Sequence, residues 1–232
     1  NNTWTSDGQG GKVKGTTGDY LDAVSISDDG SVMVVGGIGI NDSKGGFRIY
    51  KKLFDESGNV SWTYKNGLKG GQVNSFYGYA IKLSGDGKTI IIGAPKYSIG
   101  DDAKTGAFWI NTISNNFELT NTFSLGGYVS HEFGTRNAID LSDDGTVAVI
   151  GVHSPSVSSH TVDSRFDKTS GFINQYRLGD SGWSRGFYQY GDGIYDRFGS
   201  SVAISGDGNS INVGARGQNR NNKPENGIFT GS

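Results

Sequence analysis

The residues with the clearest potential for chemistry are aspartates that recur in four similar segments of the chain. The segments are Ser27-Asp28-Asp29-Gly30, Ser84-Gly85-Asp86-Gly87, Ser142-Asp143-Asp144-Gly145 and Ser205-Gly206-Asp207-Gly208. Calcium needs about six to eight oxygen ligands that converge on one point, and each segment offers only one or two carboxylates. Asp-Gly pairs are also typical of tight turns. We interpret these aspartates as turn residues and expect no cofactor, with calcium as an alternative that such short turns do not support.

The sequence gives little support for a histidine metal site or for nucleophilic catalysis. The histidines are His131, His153 and His160, and the last two share a long connection with Asp163. Their spacing fits no established zinc-ligand pattern. The chain contains no cysteine and no phosphate-binding glycine loop, and its carboxylates are scattered over equivalent positions. The sequence therefore predicts no metal site, no catalytic residues and a protein that is not an enzyme.

The aspartate segments belong to a repeat, so one structural unit must position all of them. Successive serines of the four segments are 57, 58 and 63 residues apart. In each copy another glycine follows the turn glycine after six positions, at Gly36, Gly93, Gly151 and Gly214. A period of this kind indicates one supersecondary unit that is repeated four times.

Within a unit, the residue pattern predicts short β-strands. An alternating run leads into the Asp-Gly segment, which we interpret as a two-residue hairpin turn. The next run is apolar at consecutive positions, as in residues 89–92, which indicates a central strand that is covered on both faces. A third strand opens on glycine, and a more polar fourth strand follows in three copies. Together with the 39 glycines of the chain, these patterns predict an all-β protein.

The order of the units predicts one domain over residues 1–232, a four-bladed β-propeller with four-stranded antiparallel blades. The last unit lacks a fourth strand, while residues 2–5, ahead of the first unit, carry a matching tryptophan at Trp4. An N-terminal strand that pairs in the last blade would close the ring and remove both sheet edges. The blades would cover about 17–64, 74–120, 130–185, and 195–232 plus 1–8.

The repeat resembles a known family. Phe198-Gly199, a hairpin and then Gly214-Ala215 resemble the FG-GAP repeat of integrin α-subunit type β-propellers, as do Tyr77-Gly78 and Gly93-Ala94-Pro95. The resemblance spans the chain, although the other copies are degenerate. It implies a propeller fold and a role in cell adhesion or another structural role. Members of the family commonly have seven blades, and some carry extended calcium-binding loops that this sequence lacks.

Charge and composition exclude several partners. The formal net charge is -2, from 21 basic and 23 acidic residues, so the chain has no basic field that would attract nucleic acid. No apolar run is long enough to cross a membrane as a helix. Triplets for N-glycosylation begin at Asn1, Asn41 and Asn59. We expect no nucleic-acid partner, no membrane insertion, and a location outside the cell, on a cell surface or on a particle surface.

The predicted functional region is one face of the propeller. Connections between the second and third strands differ in length from copy to copy, and they emerge on the same face as the connections that join successive blades. We predict that a protein partner binds there, to Lys96, Tyr97, Asp101, Asp102, His153, His160, Arg165, Arg216 and Arg220. The predicted function is a non-enzymatic interaction or structural module. The alternative is a lectin that binds carbohydrate, and the second alternative is an enzyme that degrades a polymer.

Overall fold

The computed structural model describes residues 15, 17–100, 105–126, 135, 137–153, 170–191 and 197–216, and the backbone of 227–230. Within them, strands form four antiparallel sheets. In chain order the strands are β1 (Leu21–Ile26), β2 (Val32–Gly37), β3 (Gly46–Phe54), β4 (Val60–Lys69), β5 (Ala80–Leu83), β6 (Thr89–Ala94), β7 (Ala107–Ile113), β8 (Leu119–Gly126), β9 (Ile139–Leu141), β10 (Val147–Val152), β11 (Phe172–Gly179), β12 (Gly182–Tyr190), β13 (Phe198–Ile204), β14 (Ser210–Ala215) and β15 (Gly227–Thr230). A short helical turn, α1 (Ile40–Ser43), follows β2.

Each sheet is a meander whose strands lie in chain order, which confirms the all-β prediction. Blade 1 consists of β1 to β4, blade 2 of β5 to β8, blade 3 of β9 to β12 and blade 4 of β13 to β15. The second strand of each blade pairs on both sides, and every residue of β6 and β10 is buried. This burial explains why those strands are apolar at consecutive positions. The fourth strands, β4, β8 and β12, are more exposed than the central strands, as their polar residues predicted.

The turn between the first two strands of a blade is held by one small hydrogen-bond network. In blade 1 the Ser27 hydroxyl donates to Asp29 Oδ1 (2.6 Å) and accepts from the Val32 amide (3.0 Å). Asp29 also accepts from the Ser31 amide (2.9 Å). The prediction of a two-residue turn is wrong, because the Ser27 amide donates to the Val32 carbonyl (2.9 Å) and the loop between them spans four residues. Only Gly30 in this loop has a positive φ, of 65°.

The equivalent turns repeat this network and touch one another. The serine hydroxyl donates to the aspartate at 2.6 Å in Ser84 and Asp86, 2.7 Å in Ser142 and Asp144, and 2.5 Å in Ser205 and Asp207. Backbone bonds join turn to turn, from the Asp28 amide to the Gly85 carbonyl (2.9 Å), from Asp86 to Asp143 (2.8 Å) and from Asp143 to Gly206 (2.9 Å). Because successive turns meet, the first strands of the blades lie side by side around one axis.

Apolar layers fill the space between successive blades. Val34 and Phe47 of blade 1 belong to one cluster with Ile90 and Ile92 of blade 2. A second cluster joins blades 2 and 3, and a third joins Val149 of blade 3 to blade 4. Blades 2 and 3 therefore bury both faces of their central strands against neighbours, which is the packing of a propeller.

Glycines of the repeat let the backbones of neighbouring blades touch. Tyr77, at the start of blade 2, forms a parallel bridge with Gly45, next to β3 of blade 1. Gly78 has a φ of 85°, and a Cβ on it would overlap the Gly46 carbonyl oxygen. The same arrangement joins blades 3 and 4, through Phe198, Gly199, Gly171 and Phe172. The aromatic-glycine pair of the repeat is thus explained by the contact between blades.

Blade 4 has three strands among the described residues, in the order β13, β14, β15. Residues 1–8, predicted as its fourth strand, lie outside the described residues, so closure of the ring stays a prediction, as do the predicted domain boundaries. In the described part of the chain, no helix has the length and apolar character needed to cross a membrane.

Candidate functional site

Part of the predicted binding face lies in the described residues. Lys96 and Tyr97 follow β6, His153 follows β10 and Arg216 follows β14, so they lie at the same end of their blades. The Lys96 ammonium is 4.2 Å from the centre of the Phe76 ring, in a cation-π contact. Tyr97 lines a pocket. The remaining candidates lie outside the described residues, so the face as a whole stays a prediction; they are Asp101, Asp102, His160, Arg165 and Arg220.

A pocket opens between blades 1 and 2 at this end of the propeller. Its volume is about 620 Å³, which suits a small molecule. The end of β4, the β4–β5 connection, the β6–β7 loop, β7 and β8 contribute its lining: Leu68, Lys69, Gly70, Gly71, Gln72, Ser75, Tyr77, Tyr97, Trp109, Asn111 and Asn121.

Three aromatic rings form one wall of this pocket. The Trp109 ring packs edge-to-face against Tyr77, with centroids 4.9 Å apart, and against Tyr97, at 5.1 Å. Such contacts fix the orientation of the indole. Burial raises the pKa of the Tyr77 hydroxyl well above its ordinary value, so this tyrosine stays protonated. Trp109 and Tyr97 are only partly buried, which leaves ring surface accessible to a ligand.

Polar side chains share the pocket with these rings. Asn111 of β7 and Asn121 of β8 are paired across the two strands. Asn111 is 2% exposed, and its Nδ2 has no hydrogen-bond partner. A buried donor without a partner costs about 1–3 kcal/mol, so a ligand oxygen that accepts from this nitrogen would bind favourably. Lys69, which is exposed, adds a positive charge.

Hydrogen bonds hold the connection that carries Gln72 in place. The Gln72 side chain donates from Nε2 to the Ser98 carbonyl (3.2 Å) and accepts at Oε1 from the Ser98 amide (2.7 Å). On the other side, the Asn41 side chain donates to the Gly70 carbonyl (3.2 Å). The Tyr97 carbonyl accepts from the Gly106 amide (2.9 Å). The connection is therefore tied to loops of both blades, and the pocket has a defined shape.

Trp109 and Asn111 were not among the predicted site residues, because both lie inside a strand rather than in a loop. By strand pairing, blade 1 has Arg48 where blade 2 has Trp109, and Tyr50 where blade 2 has Asn111. A polar residue that replaces an aromatic one at a buried repeat position was a signal available in the sequence. It would have directed attention to β7 of the second unit.

The carboxylates are engaged in structural contacts. Asp140 accepts from Lys82 Nζ at Oδ1 (2.8 Å) and from the Ile204 amide at Oδ2 (2.9 Å), and so links blades 2, 3 and 4. A Cβ on Gly85 would overlap the Asp28 carboxylate, and one on Gly206 would overlap that of Asp143, because these side chains lie over the next turn. Among the described residues, no group of three or more His, Asp or Glu side chains is arranged to hold a metal.

Four meanders around one axis, with apolar layers between them, define a β-propeller. Residues 192–228, which include most of blade 4, match the FG-GAP repeat family model. The match covers one repeat of the chain, and together with the fold it supports a β-propeller of the FG-GAP type, as the resemblance of the repeats implied. No curated protein matches the sequence at a significant level.

Solved structures with this fold include several lactonases. A putative 6-phosphogluconolactonase from Bacteroides fragilis has a TM-score of 0.53 and 13% identity, over 91% of this chain and 55% of that chain. One from Bacteroides uniformis has a TM-score of 0.52 and 13% identity, with the same 91% and 55% coverage. The periplasmic gluconolactonase of Pseudomonas aeruginosa has a TM-score of 0.52 and 12% identity, over 95% and 60%. The chain spans little more than half the length of these structures, and at such identity the likeness establishes the fold.

These neighbours overturn the prediction of a non-enzymatic interaction module. Three of the propellers that share the fold are named as lactonases, and this finding contradicts the expectation that the protein is not an enzyme. The expectation rested on the absence of nucleophiles and acid-base pairs. Hydrolysis of an activated ester can also be accelerated by hydrogen-bond donors that stabilise an oxyanion. A role in cell adhesion gains no support from these neighbours, and the location outside the cell stays a prediction.

Proposed function

We propose that the protein is a hydrolase that opens the ring of a sugar-derived lactone bound between blades 1 and 2. The observation that carries the proposal is the combination of accessible ring surface, on Trp109 and Tyr97, with the buried and unpartnered amide nitrogen of Asn111 in one pocket. The lactonase names of the propellers with TM-scores of 0.52 and 0.53 support it. The proposal does not depend on closure of the ring by residues 1–8, because the pocket involves only the first two blades.

The lining suits a small polyhydroxylated ring. The C–H face of such a ring packs on an aromatic side chain, and its hydroxyls exchange hydrogen bonds with amides. In the proposed complex Trp109 takes the face of the ring, while Asn121 and the exposed edge of the β4–β5 connection contact its hydroxyls. Aromatic groups thus orient the face of the substrate ring, and polar groups orient its hydroxyls.

The proposed reaction adds water across the lactone ester bond. The water oxygen bonds to the carbonyl carbon, and the carbonyl oxygen becomes an oxyanion. The carbonyl then re-forms as the ring C–O bond breaks, and the ring oxygen takes up a proton from solvent, which gives a hydroxy acid. Asn111 Nδ2 donates to the oxyanion, and the charge of Lys69 stabilises the oxyanion and the carboxylate product. The described lining contains no acidic or histidine side chain, so solvent water accepts the first proton.

The test is the hydrolysis of glucono-δ-lactone, followed by the acid that it releases, with the uncatalysed rate in buffer subtracted. We expect the protein to accelerate hydrolysis. Asn111→Leu, which keeps the volume and removes the donor, should lower kcat by about 10²-fold, since that is the effect of losing one oxyanion donor. Trp109→Ala should raise KM more than it lowers kcat, because it removes binding surface.

The matched control is Phe54→Ala, which removes an aromatic side chain that is 66% exposed and does not line the pocket. This variant should hydrolyse the lactone at the rate of the wild-type protein. Binding of the lactone without any acceleration would contradict a hydrolase. Equal rates for Asn111→Leu and the wild-type protein would remove Asn111 from the proposed mechanism.

A further inference from the structure

One face of blade 1 carries apolar side chains that none of the described strands of the other blades covers. Val24 and Ile26 of β1 are 66% and 50% exposed. They lie three residues and one residue before Ser27, so the repeat defines their equivalents in the other blades. In blades 2 and 3 the equivalents are buried: Ile81 (9%) and Leu83 (2%), and Ile139 (5%) and Leu141 (4%). In blade 4 they are Val202 and Ile204, which are partly buried.

In blades 2 and 3 these positions are covered by the preceding blade. Ile81 and Leu83 pack in one cluster with Ala23, Val32 and Val34 of blade 1. Blade 3 offers a similar surface toward blade 4, with Ala138, Val147 and Val149 at the positions of these three residues. We name the three positions the donor triplet, because they supply the apolar surface that covers the next blade.

The donor triplet of blade 4 is polar. Its residues are Ser201, Ser210 and Asn212, and all three are at least partly exposed. Burial of such groups against Val24 and Ile26 would leave hydroxyl and amide groups without partners, which is unfavourable. Blade 4 therefore matches poorly with the free face of blade 1, whether it comes from the same chain or from a second copy.

We propose that the free face of blade 1 binds a further four-stranded sheet of this repeat type, with an apolar donor triplet like that of blade 1, as the preceding blade of a larger ring. The partner is defined by the three described interfaces. This position meets apolar donor triplets from blades 1 and 3, and from blade 2 it meets Ala80 and Ile91 beside the buried Thr89. The match to only 55% of the Bacteroides fragilis lactonase chain agrees with an arc that occupies part of a larger propeller. The proposal goes beyond the hydrolase function and does not depend on it.

A single engineered thiol tests this proposal, because the chain has no cysteine of its own. Val24→Cys places a thiol on the free face, and its rate of reaction with a maleimide reports whether the face is covered. Tyr20→Cys, at a residue that is 72% exposed, is the accessible reference, and Ile81→Cys is the buried one. In dilute protein we expect Val24→Cys to react within about threefold of the Tyr20→Cys rate.

The partner is then supplied by a tandem fusion. A second copy of residues 20–76 is inserted ahead of Tyr20, and Leu21 of the original blade is changed to glycine to match Tyr77-Gly78 at the junction. The inserted sheet presents Ala23, Val32 and Val34 to the original Val24→Cys position. We expect labelling there to slow by at least about tenfold, because a buried thiol reacts only after local opening.

The matched control is the same fusion with Val32→Ser and Val34→Asn in the inserted copy, which reproduces the donor triplet of blade 4. It should leave the thiol reactive. Slow labelling in the dilute single chain would mean that the chain closes on itself and would overturn the proposal. Labelling that slows as the protein concentration rises would assign the face to a second copy. Equal rates in both fusions would exclude the apolar donor triplet as the basis of recognition.

Discussion

The two ends of the propeller follow the repeat to very different degrees. At the hairpin end, all four Ser-x-Asp-Gly turns share one hydrogen-bond network and touch their neighbours. At the loop end, the pocket between blades 1 and 2 is built from Gln72, Trp109 and Asn111, which belong to single copies of the repeat. The sequence of the hairpin end is therefore constrained by contact between blades, while the sequence of the loop end can vary and form a binding site.

The largest expected effect comes from breaking the contact between blades. Gly78→Ala should lower the free energy of unfolding by about 3 kcal/mol or more, since it combines a positive φ with overlap of a neighbouring backbone oxygen. Urea denaturation measures the loss. Gly179→Ala is the matched control, because a Cβ there meets nothing within 4 Å. Equal losses for the two variants would mean that close approach of the blades does not constrain the repeat.

A smaller effect is expected within the hairpin turns, and it should depend on burial. Ser84→Ala removes the acceptor of the Thr89 amide (2.9 Å) and a donor to Asp86 in a fully buried position. We expect a loss of about 1–3 kcal/mol in the free energy of unfolding. Ser205→Ala removes the same bonds in blade 4, where the serine is partly exposed, so water can replace them and the loss should be smaller. Identical losses would contradict this distinction.

The same contrast explains what the sequence revealed. The hairpin end could be predicted because every copy faces the same neighbour, so the spacing from Ser27 to Gly36 recurs throughout the chain. The turn geometry could not, because Asp-Gly is compatible both with a two-residue turn and with a longer loop that ends in a left-handed glycine. The choice between them depends on the bond from the Ser27 amide to the Val32 carbonyl, which no residue type specifies.

The site was harder to predict because it depends on contacts between two repeats. Trp109 and Asn111 are separated from Gln72 by a complete hairpin, and only the packing of blade 2 on blade 1 brings them together. Tyr97 was selected from the sequence because it lies in a variable loop, and it does line the pocket. A search confined to loops omits the buried and half-buried strand positions where the repeat is broken, and these supply Asn111 and Trp109.

At the loop end, Gln72→Ala should affect ligand binding more than stability. The variant loses both bonds to Ser98, so the β4–β5 connection is no longer tied to the β6–β7 loop. We expect about 1 kcal/mol or less in the free energy of unfolding, because the loop remains solvated, and a severalfold weaker affinity for gluconolactone in a thermal-shift titration. Gln189→Ala is the control, since Gln189 also donates to a backbone carbonyl (2.9 Å) but lies on β12, away from the pocket. Weaker binding in both variants would mean that the loss of affinity does not arise in the pocket.

The smallest expected effect is at the hairpin end, on the pKa of a turn aspartate. Hydrogen bonds from the Ser27 hydroxyl and then the Ser31 amide lower the pKa of Asp29 from 3.8 to about 2. Between about pH 4 and pH 2 the unfolded chain therefore binds more protons than the folded one. The contribution of this turn to stability is complete above about pH 4 and is lost as the pH falls toward 2.

Ser27→Ala removes the largest cause of this shift, so the pKa of Asp29 should rise toward 3.8. NMR titration of the side-chain carboxyl carbons measures it directly. Asp55, whose pKa is lowered by hydrogen bonds from Asn59 in the turn between β3 and β4, serves as the internal control and should titrate as in the wild-type protein. If the pKa values of Asp29 and Asp55 were both unchanged in this variant, the Ser27 hydroxyl would not be the cause of the low pKa of Asp29. The uniformity of the hairpin end would then have to come from the backbone contacts between turns alone.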